Sequence, residues 1–322
     1  MENFKTFLKK KDIEISAKRY GIDALGAMAQ GLFASLLIGT IIATIGEQAG
    51  VKFLVEIGTY AKASTGPAMA IAIGYALHCP PLVLFSLAAV GAATNTLGGA
   101  GGPLAVLIVT IFASELGKLV SKETKIDIIA TPFVTITAGI LLAMWWAPGI
   151  GKAASAVGNA IMWATELQPF FMGIIVSVIV GIALTLPISS AAICAALGLT
   201  GLAGGAALAG CCAQMVGFAV LSFRENKWGG LFAQGIGTSM LQVPNIVKRP
   251  VIWLPAILSS AILGPVGTLF LHMTNNATGS GMGTAGLVGQ IMTWQVMTQT
   301  EDAMVVMIKM VMIQIVLPAL LT

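Results

Sequence analysis

Long apolar runs with almost no charged residues dominate this chain, and they allow it very few folds. Of its 322 residues 57% are hydrophobic and only 9% are charged, whereas a soluble domain carries about 25% charged residues. The runs are continuous and rich in Leu, Ile, Ala and Gly, unlike the alternating strands of an outer-membrane barrel. The sequence therefore predicts an all-α, polytopic integral membrane protein with roughly 8–10 transmembrane helices.

Basic residues collect at the ends of the apolar runs, which is the pattern that orients membrane proteins. Residues 1–21 carry six of them and no signal-peptide cleavage pattern, so we expect a cytoplasmic, amphipathic N-terminal segment. The basic loops at 118–125, 224–227 and 248–249 are predicted to lie on the same side. The net charge of +4 follows from this orientation pattern and indicates no nucleic-acid partner.

Several apolar runs are interrupted. Residues 67–96 are broken at Pro80 and Pro81, so that they form either one broken helix or a hairpin that enters and leaves on one side. Residues 47–66 are mixed in charge and are expected to be an outer loop. Residues 128–147 are predicted to span the membrane, and residues 148–168 to lie at its surface.

The interruptions recur along the chain. The interval from Pro81 to the Gly98–Gly99 pair equals that from Pro187 to the Gly204–Gly205 pair. This spacing suggests an internal repeat with halves 63–147 and 169–273 inside a transmembrane domain of residues 22–322. The basic loops share one side if the proline-broken segments enter and return on the outer side. That arrangement makes the repeats parallel, and an inverted repeat stays an alternative.

A polar stretch at residues 232–250 lies between two apolar segments and is too short and polar to span a membrane. Its loop backbone needs partners inside protein or in a watery cavity, which favours a re-entrant segment. An interfacial loop that ends at Lys248–Pro250 is the alternative. Separately, Gly31, Ser35 and Gly39 share one helix face, where another helix can approach closely.

No arrangement of residues points to an enzyme. The two histidines lack metal-ligand spacing, Ser189 and Ser190 lack a nucleophile-elbow pattern, and no phosphate-binding glycine motif is present. The cysteines show no CxxC spacing and are expected to be free buried thiols. The sequence thus predicts neither a metal site nor a cofactor.

Polar residues within the apolar runs are the candidates for solute binding. His78 lies at a proline break, where freed carbonyls help to bind a polar solute, although it could equally be a buried histidine bonded to a carbonyl. Asn95 could present its amide to a solute or cap a helix end. Gln214 could contact solute or bond to a neighbouring helix. Glu115 is expected to pair with Lys118.

The strongest cluster of candidates lies in the polar stretch 232–250. Closely spaced amides and hydroxyls suit a sugar or polyol, whose hydroxyls both donate and accept hydrogen bonds. Asn275, followed by Asn276, belongs to a second polar stretch and could complete the site from the other side. The members of the cluster are Gln234, Thr238, Ser239, Gln242 and Asn245.

Two strings, Gly237–Thr268 and Lys125–Gly139, resemble the EIIC membrane component of bacterial phosphotransferase-system sugar transporters. The resemblance is greatest to stand-alone EIIC proteins, including the perfringolysin O regulator-like group. It implies a bacterial plasma-membrane protein, a homodimer, and a sugar site built by re-entrant hairpins. In the family a His and a Glu contact the sugar, and His78 is the candidate for that His.

The leading hypothesis is an EIIC-like permease for a small polar solute, a sugar or a related metabolite. The chain shows no EIIA or EIIB phosphoryl-carrier domain, so any phosphotransfer needs a separate EIIB-type partner. One alternative is a membrane sensor or regulator that binds a solute or partner without transport. A second alternative is an ion-coupled secondary transporter.

Overall fold

The computed structural model describes residues 2–165 and 167–322, and this part of the chain is helical almost throughout. Within it, six helical stretches are long and apolar enough to cross a membrane, which confirms the all-α, polytopic class. The helices are α1 (Glu2–Lys10), α2 (Arg19–Ala49), α3 (Lys52–Ala63), α4 (Thr65–Ala76), α5 (Pro81–Gly98), α6 (Gly102–Val120), α7 (Asp127–Thr165), α8 (Pro169–Thr185), α9 (Ser190–Ala196), α10 (Gly201–Leu221), α11 (Phe223–Phe232), α12 (Val243–Lys248), α13 (Pro250–Phe270), α14 (Ala277–Ser280), α15 (Val288–Met297) and α16 (Ala303–Leu321).

The segment expected to be an outer loop, 47–66, instead contains a helix. Gly50 adopts φ +68° and ends α2, after which α3 and α4 run back along it. A Cβ on Gly39 would lie 2.8 Å from the carbonyl oxygen of Gly58, so the two helices touch backbone to backbone. Charged Lys52 and Glu56 are exposed on the outer face of α3, which is why composition alone suggested a loop.

The small-residue face of α2 is covered by the chain's own helices. A Cβ on Gly31 would lie 2.6 Å from the carbonyl oxygen of Ala68, and Gly39 meets α3 in the same way. Small residues allow this close approach, as the spacing predicts. This face is therefore covered by helices of the same chain and does not support dimerisation. The homodimer stays a prediction.

Helices α5 and α6 form a hairpin whose tip is a short 3₁₀ turn at Gly99–Gly101. The arms are antiparallel, because Val83 and Gly117 meet near the open end and Gly98 meets Ala105 near the tip. The whole hairpin, Pro81–Val120, is one of the six stretches that are long and apolar enough to cross a membrane. A shorter apolar helix, Pro169–Thr185, accompanies the six stretches, and the number of roughly 8–10 transmembrane helices stays a prediction.

The break at Pro80 and Pro81 turns the chain between α4 and α5, but at the basic end of the bundle. The Lys118 Nζ donates to the carbonyl oxygen of Leu77 over 2.9 Å, so the break and the loop after α6 are neighbours. Both arms of the segment lead away from this turn, as in the predicted hairpin alternative, and the glycine tip lies away from the basic loops. The side of the membrane on which the segment enters and returns stays a prediction.

Helix α7 continues through the region expected to lie at the surface, with Pro148 inside it. Beyond Pro148 only one face is buried, and it carries Ala154, Gly158 and Ile161 at the spacing of an amphipathic helix.

Helices α8, α10 and α13 form a second tight group. Gly210 of α10 touches the backbone of Ser177 in α8, and Gly264 of α13 touches that of Gly173.

The N-terminal segment is tied to the basic end by buried charges. Lys118 Nζ lies 2.9 Å from the carbonyl oxygen of Asp12 and 2.9 Å from Glu115 Oε2, which is the predicted pairing with Glu115. Arg19 is 7% exposed and donates to the Asp12 carboxylate over 2.8 Å. These hydrogen bonds from Arg19 hold the pKa of Asp12 well below its ordinary value.

The other basic loops lie at this same end. Helix α12 contacts the first turn of α2, and a pocket of about 570 Å³ is lined jointly by Glu225, Asn226, Lys248 and Arg249. This is the clustering that the charge bias predicts. The side of the membrane that the basic end meets stays a prediction, as does the internal repeat.

Candidate functional site

Interrupted segments from both ends of the bundle meet around a cavity of about 340 Å³. From the basic end come the tip of the α5–α6 hairpin and the stretch 237–240. From the opposite end come the break after α8, at 186–191, and the loop 281–285 between α14 and α15. We call this space the central cavity. Its polar lining includes Thr40, Lys62, Thr65, Asn95, Ser190 and Thr238.

Hydrogen bonds hold the tips against one another. The backbone N–H of Ser189 donates to the carbonyl of Ala100 over 2.9 Å, which joins the α8 break to the hairpin tip. Ser190 Oγ donates to the carbonyl of Gly281 over 2.8 Å, and Thr284 Oγ1 donates to that of Gly235. Non-helical backbone inside a membrane protein needs such partners, because lipid offers none.

Two glycines let the tips turn sharply. Gly99 adopts φ +51° at the end of α5, and Gly283 adopts φ +57° in the loop between α14 and α15. Such conformations favour glycine, which has no Cβ. A Cβ on Gly283 would also lie 2.8 Å from the sulfur of Met215. The glycine-rich composition of these stretches therefore serves tight turns at the cavity.

The hydroxyls of the central cavity are arranged mainly as acceptors. Thr40 donates to a carbonyl of its own helix, Thr65 to the carbonyl of Lys62 at the end of α3, and Ser190 to that of Gly281, which leaves oxygen lone pairs free. Thr238 instead accepts from the backbone N–H of Met240 over 3.1 Å and keeps its own proton to donate. The lining can therefore both accept from and donate to a hydroxylated solute.

Asn95 and Lys62 supply the remaining donors. Neither side chain makes a hydrogen bond or ion pair with another described residue, although both line the cavity. Asn95 packs against the start of α4, which follows Lys62 in the chain, since a Cβ on Gly66 would lie 2.8 Å from the Asn95 Cβ. The sequence predicted Asn95 but missed Lys62, because charges in residues 47–66 suggested an outer loop.

The predicted amide cluster forms a chain among its own members. Asn245 donates to Gln242 over 2.9 Å, Gln242 to Gln234 over 2.8 Å, and Gln234 to Ser222 over 2.7 Å. Gln234 is only 3% exposed. Gln242 and Asn245 line the basic-end pocket rather than the central cavity. Of the predicted cluster, Thr238 lines the central cavity.

Three other predicted residues are bonded inside the protein. Ser239 lies behind the cavity, with its Oγ 2.8 Å from Thr185 Oγ1. Gln214 is fully buried and accepts from Trp253 Nε1 over 2.8 Å, so it bonds between helices. Asn275 donates to Thr293 Oγ1 over 3.2 Å and pairs by backbone with Gly201.

His78 lies at the basic end, away from the central cavity. Its side chain is 72% exposed, and its Nδ1 is 2.9 Å from Asp12 Oδ2. It adopts φ +57° in the turn between α4 and α5. The structure therefore gives His78 a partner in the N-terminal segment and no contact with the lining of the cavity that Asn95 and Thr238 share.

A comparison with protein families agrees with this architecture. The family model described as "Phosphotransferase system, EIIC" matches residues 22–322, which is nearly the whole chain. No curated protein and no solved structure matches the chain. The match includes all the segments that line the central cavity and stops short only of the N-terminal segment. The chain thus belongs to the phosphotransferase system EIIC family.

Proposed function

We propose that the chain is a sugar permease that binds its solute in the central cavity, at the meeting point of the re-entrant tips. Membership of the EIIC family makes it a membrane component of sugar transport, which works with a phosphocarrier and is not itself a phosphotransferase. We also propose that the basic end is cytoplasmic and that an EIIB-type partner acts there. The chain is further proposed to form a homodimer.

The observation that carries the proposal is the convergence of polar groups on one cavity. A volume of about 340 Å³ falls within the usual range for small-molecule sites, about 300–1,000 Å³. Hydroxyl acceptors and amide donors around it match the mixed hydrogen bonding of a sugar. Tips that enter from opposite ends would let one bound solute face either side in turn.

Solute binding in the central cavity and solute binding in the basic-end pocket predict different effects of substitutions. If solute binds in the central cavity, Asn95→Ala and Thr238→Val weaken binding by roughly tenfold each, as expected for one lost hydrogen bond to a polar solute. Gln242→Ala and Asn245→Ala then lower stability but not affinity, because their amides bond to each other. Affinity is measured by thermal shift with a panel of sugars, polyols and sugar acids.

The opposite pattern would contradict the central site. Loss of affinity in Gln242→Ala and Asn245→Ala, with wild-type affinity in Asn95→Ala and Thr238→Val, would move the site to the basic-end pocket. Flux into proteoliposomes separates the alternatives. Uptake that requires an added phosphocarrier supports the permease, uptake driven by an ion gradient alone supports a secondary transporter, and binding without uptake supports a sensor.

A further inference from the structure

Lys62 gives the central cavity a positive charge that the described protein does not neutralise. Among the described residues that line the cavity it is the only charged one. Its backbone N–H lies opposite Gly39, ~15 Å along α2 from the last residue of that helix at the rise of an α-helix. A lysine at such a position is expensive unless an anion or water accompanies it.

The other lysines of the apolar helices that are not exposed to solvent are paired. Lys118, 1% exposed, bonds to Glu115 and to two backbone carbonyls, and Lys309 lies 2.6 Å from Glu301. No described carboxylate or carbonyl takes this role for Lys62. Lys62 is only partly buried and lines the cavity. An anionic group of a bound solute could therefore reach its ammonium group from the cavity.

Resting on the proposed function, we infer that the solute of the central cavity is a sugar acid, whose carboxylate pairs with Lys62. Asn95, which lines the same cavity, supplies an amide donor for the second carboxylate oxygen. The hydroxyls of Thr40, Thr65, Ser190 and Thr238 remain for the sugar hydroxyls. One cation matches a singly charged carboxylate better than a phosphate, which carries a charge of about −1.5 to −2.

The test compares matched ligands on the purified full-length protein. Thermal shifts are recorded with glucose and glucuronate, galactose and galacturonate, and the corresponding hexose 6-phosphates, at constant ionic strength. The variants are Lys62→Met and Lys62→Arg. Lys52→Met is the control, since Lys52 belongs to the same helix but is exposed at its other end.

At least one hexuronate is expected to stabilise wild type and Lys52→Met more than its neutral partner does. Lys62→Met should bind that hexuronate on the order of tenfold or more weakly, because a charge-assisted hydrogen bond is lost. Lys62→Arg should keep much of the affinity. Without ligand, Lys62→Met should melt no lower than wild type, since the ammonium has no partner to lose; this also checks that the variant folds.

Other outcomes separate this inference from the proposed function. Stabilisation by neutral hexoses that Lys62→Met retains and Asn95→Ala loses overturns the sugar-acid inference and leaves the cavity site in place. A preference for hexose 6-phosphates overturns the carboxylate class alone. No response of wild type to any sugar or sugar acid contradicts both. In a separate experiment, phosphatidylglycerol is added instead of a sugar. If only this lipid stabilises the protein and Lys62→Met loses the effect, Lys62 binds a lipid headgroup and the sugar-acid inference is overturned.

Discussion

Gln214 illustrates how this protein uses polar side chains that are fully buried. Its amide oxygen accepts from Trp253 over 2.8 Å and from Thr185 over 3.2 Å, and its amide nitrogen lies 3.4 Å from Ser260 Oγ. The side chain thereby joins helices α8, α10 and α13. Interhelical hydrogen bonds of this kind stabilise membrane proteins because lipid offers no other partner.

We expect Gln214→Leu to lower stability, although the side-chain volume is nearly kept. The change leaves the partly buried indole N–H of Trp253 without its acceptor, at a cost of about 1 kcal/mol. The measurement is the thermal midpoint in detergent. Gln48→Leu, at an exposed position of α2, is the matched control. Equal midpoints for both variants would contradict a structural role for Gln214.

Asp12 makes the attachment of the N-terminal segment depend on pH. Its pKa is depressed, chiefly by hydrogen bonds from Arg19, so its contribution to stability is present above the ordinary aspartate pKa of about 3.9 and is lost as pH falls further. The thermal midpoint of the wild type should therefore exceed that of Asp12→Asn at pH 7. The difference between the two midpoints should become smaller as the pH approaches 3.

Glu14→Gln serves as the control for this pH dependence. Glu14 is largely exposed and lies 3.9 Å from Arg19, so its removal should change the midpoint little at either pH. A difference between wild type and Asp12→Asn that stays constant from pH 7 to pH 3 would show that the carboxylate charge does not contribute.

At the scale of helices, glycine sets the distance between α8, α10 and α13. Gly210→Ala would drive a methyl group into the carbonyl of Ser177 in the neighbouring helix. We expect overpacking to cost about 1–3 kcal/mol, read as a lower thermal midpoint. Gly149→Ala, in α7 with open space around it, should leave the midpoint unchanged or raise it slightly. Comparable losses in both variants would argue for a general intolerance of alanine.

The helices themselves follow from the sequence more closely than their packing does. The helices before Pro80 and Pro187 end a few residues ahead of each proline, at Ala76 and Thr185, because proline removes an N–H and restricts the residue before it. Residues 47–66 show the limit of that reasoning. Lys52 and Glu56 suggested a loop, yet one glycine-lined face against α2 is enough to hold α3 as a helix.

At the scale of the molecule, the basic loops and the N-terminal segment share one end. We therefore expect cysteines at Lys125 and Lys248, both exposed, to be labelled from the same side of the membrane, and a cysteine at Gln48 from the other side. By the positive-inside rule, we expect the first side to be cytoplasmic. Labelling runs in inside-out and right-side-out vesicles, with Cys79 replaced by Ala to lower the background. Opposite sides for Lys125 and Lys248 would contradict the arrangement.

The sequence by itself determined the class of protein, the proline breaks and the polar stretches that cannot span a bilayer. These depend on composition and on chemistry within a few residues, which a single chain displays directly. Only the tertiary structure decided which interruptions meet. Asn95 and Thr238 reach one cavity with Lys62, while Gln242 and Asn245 bond along their own segment. Contacts between residues far apart in the chain select these neighbours, and no local pattern records them.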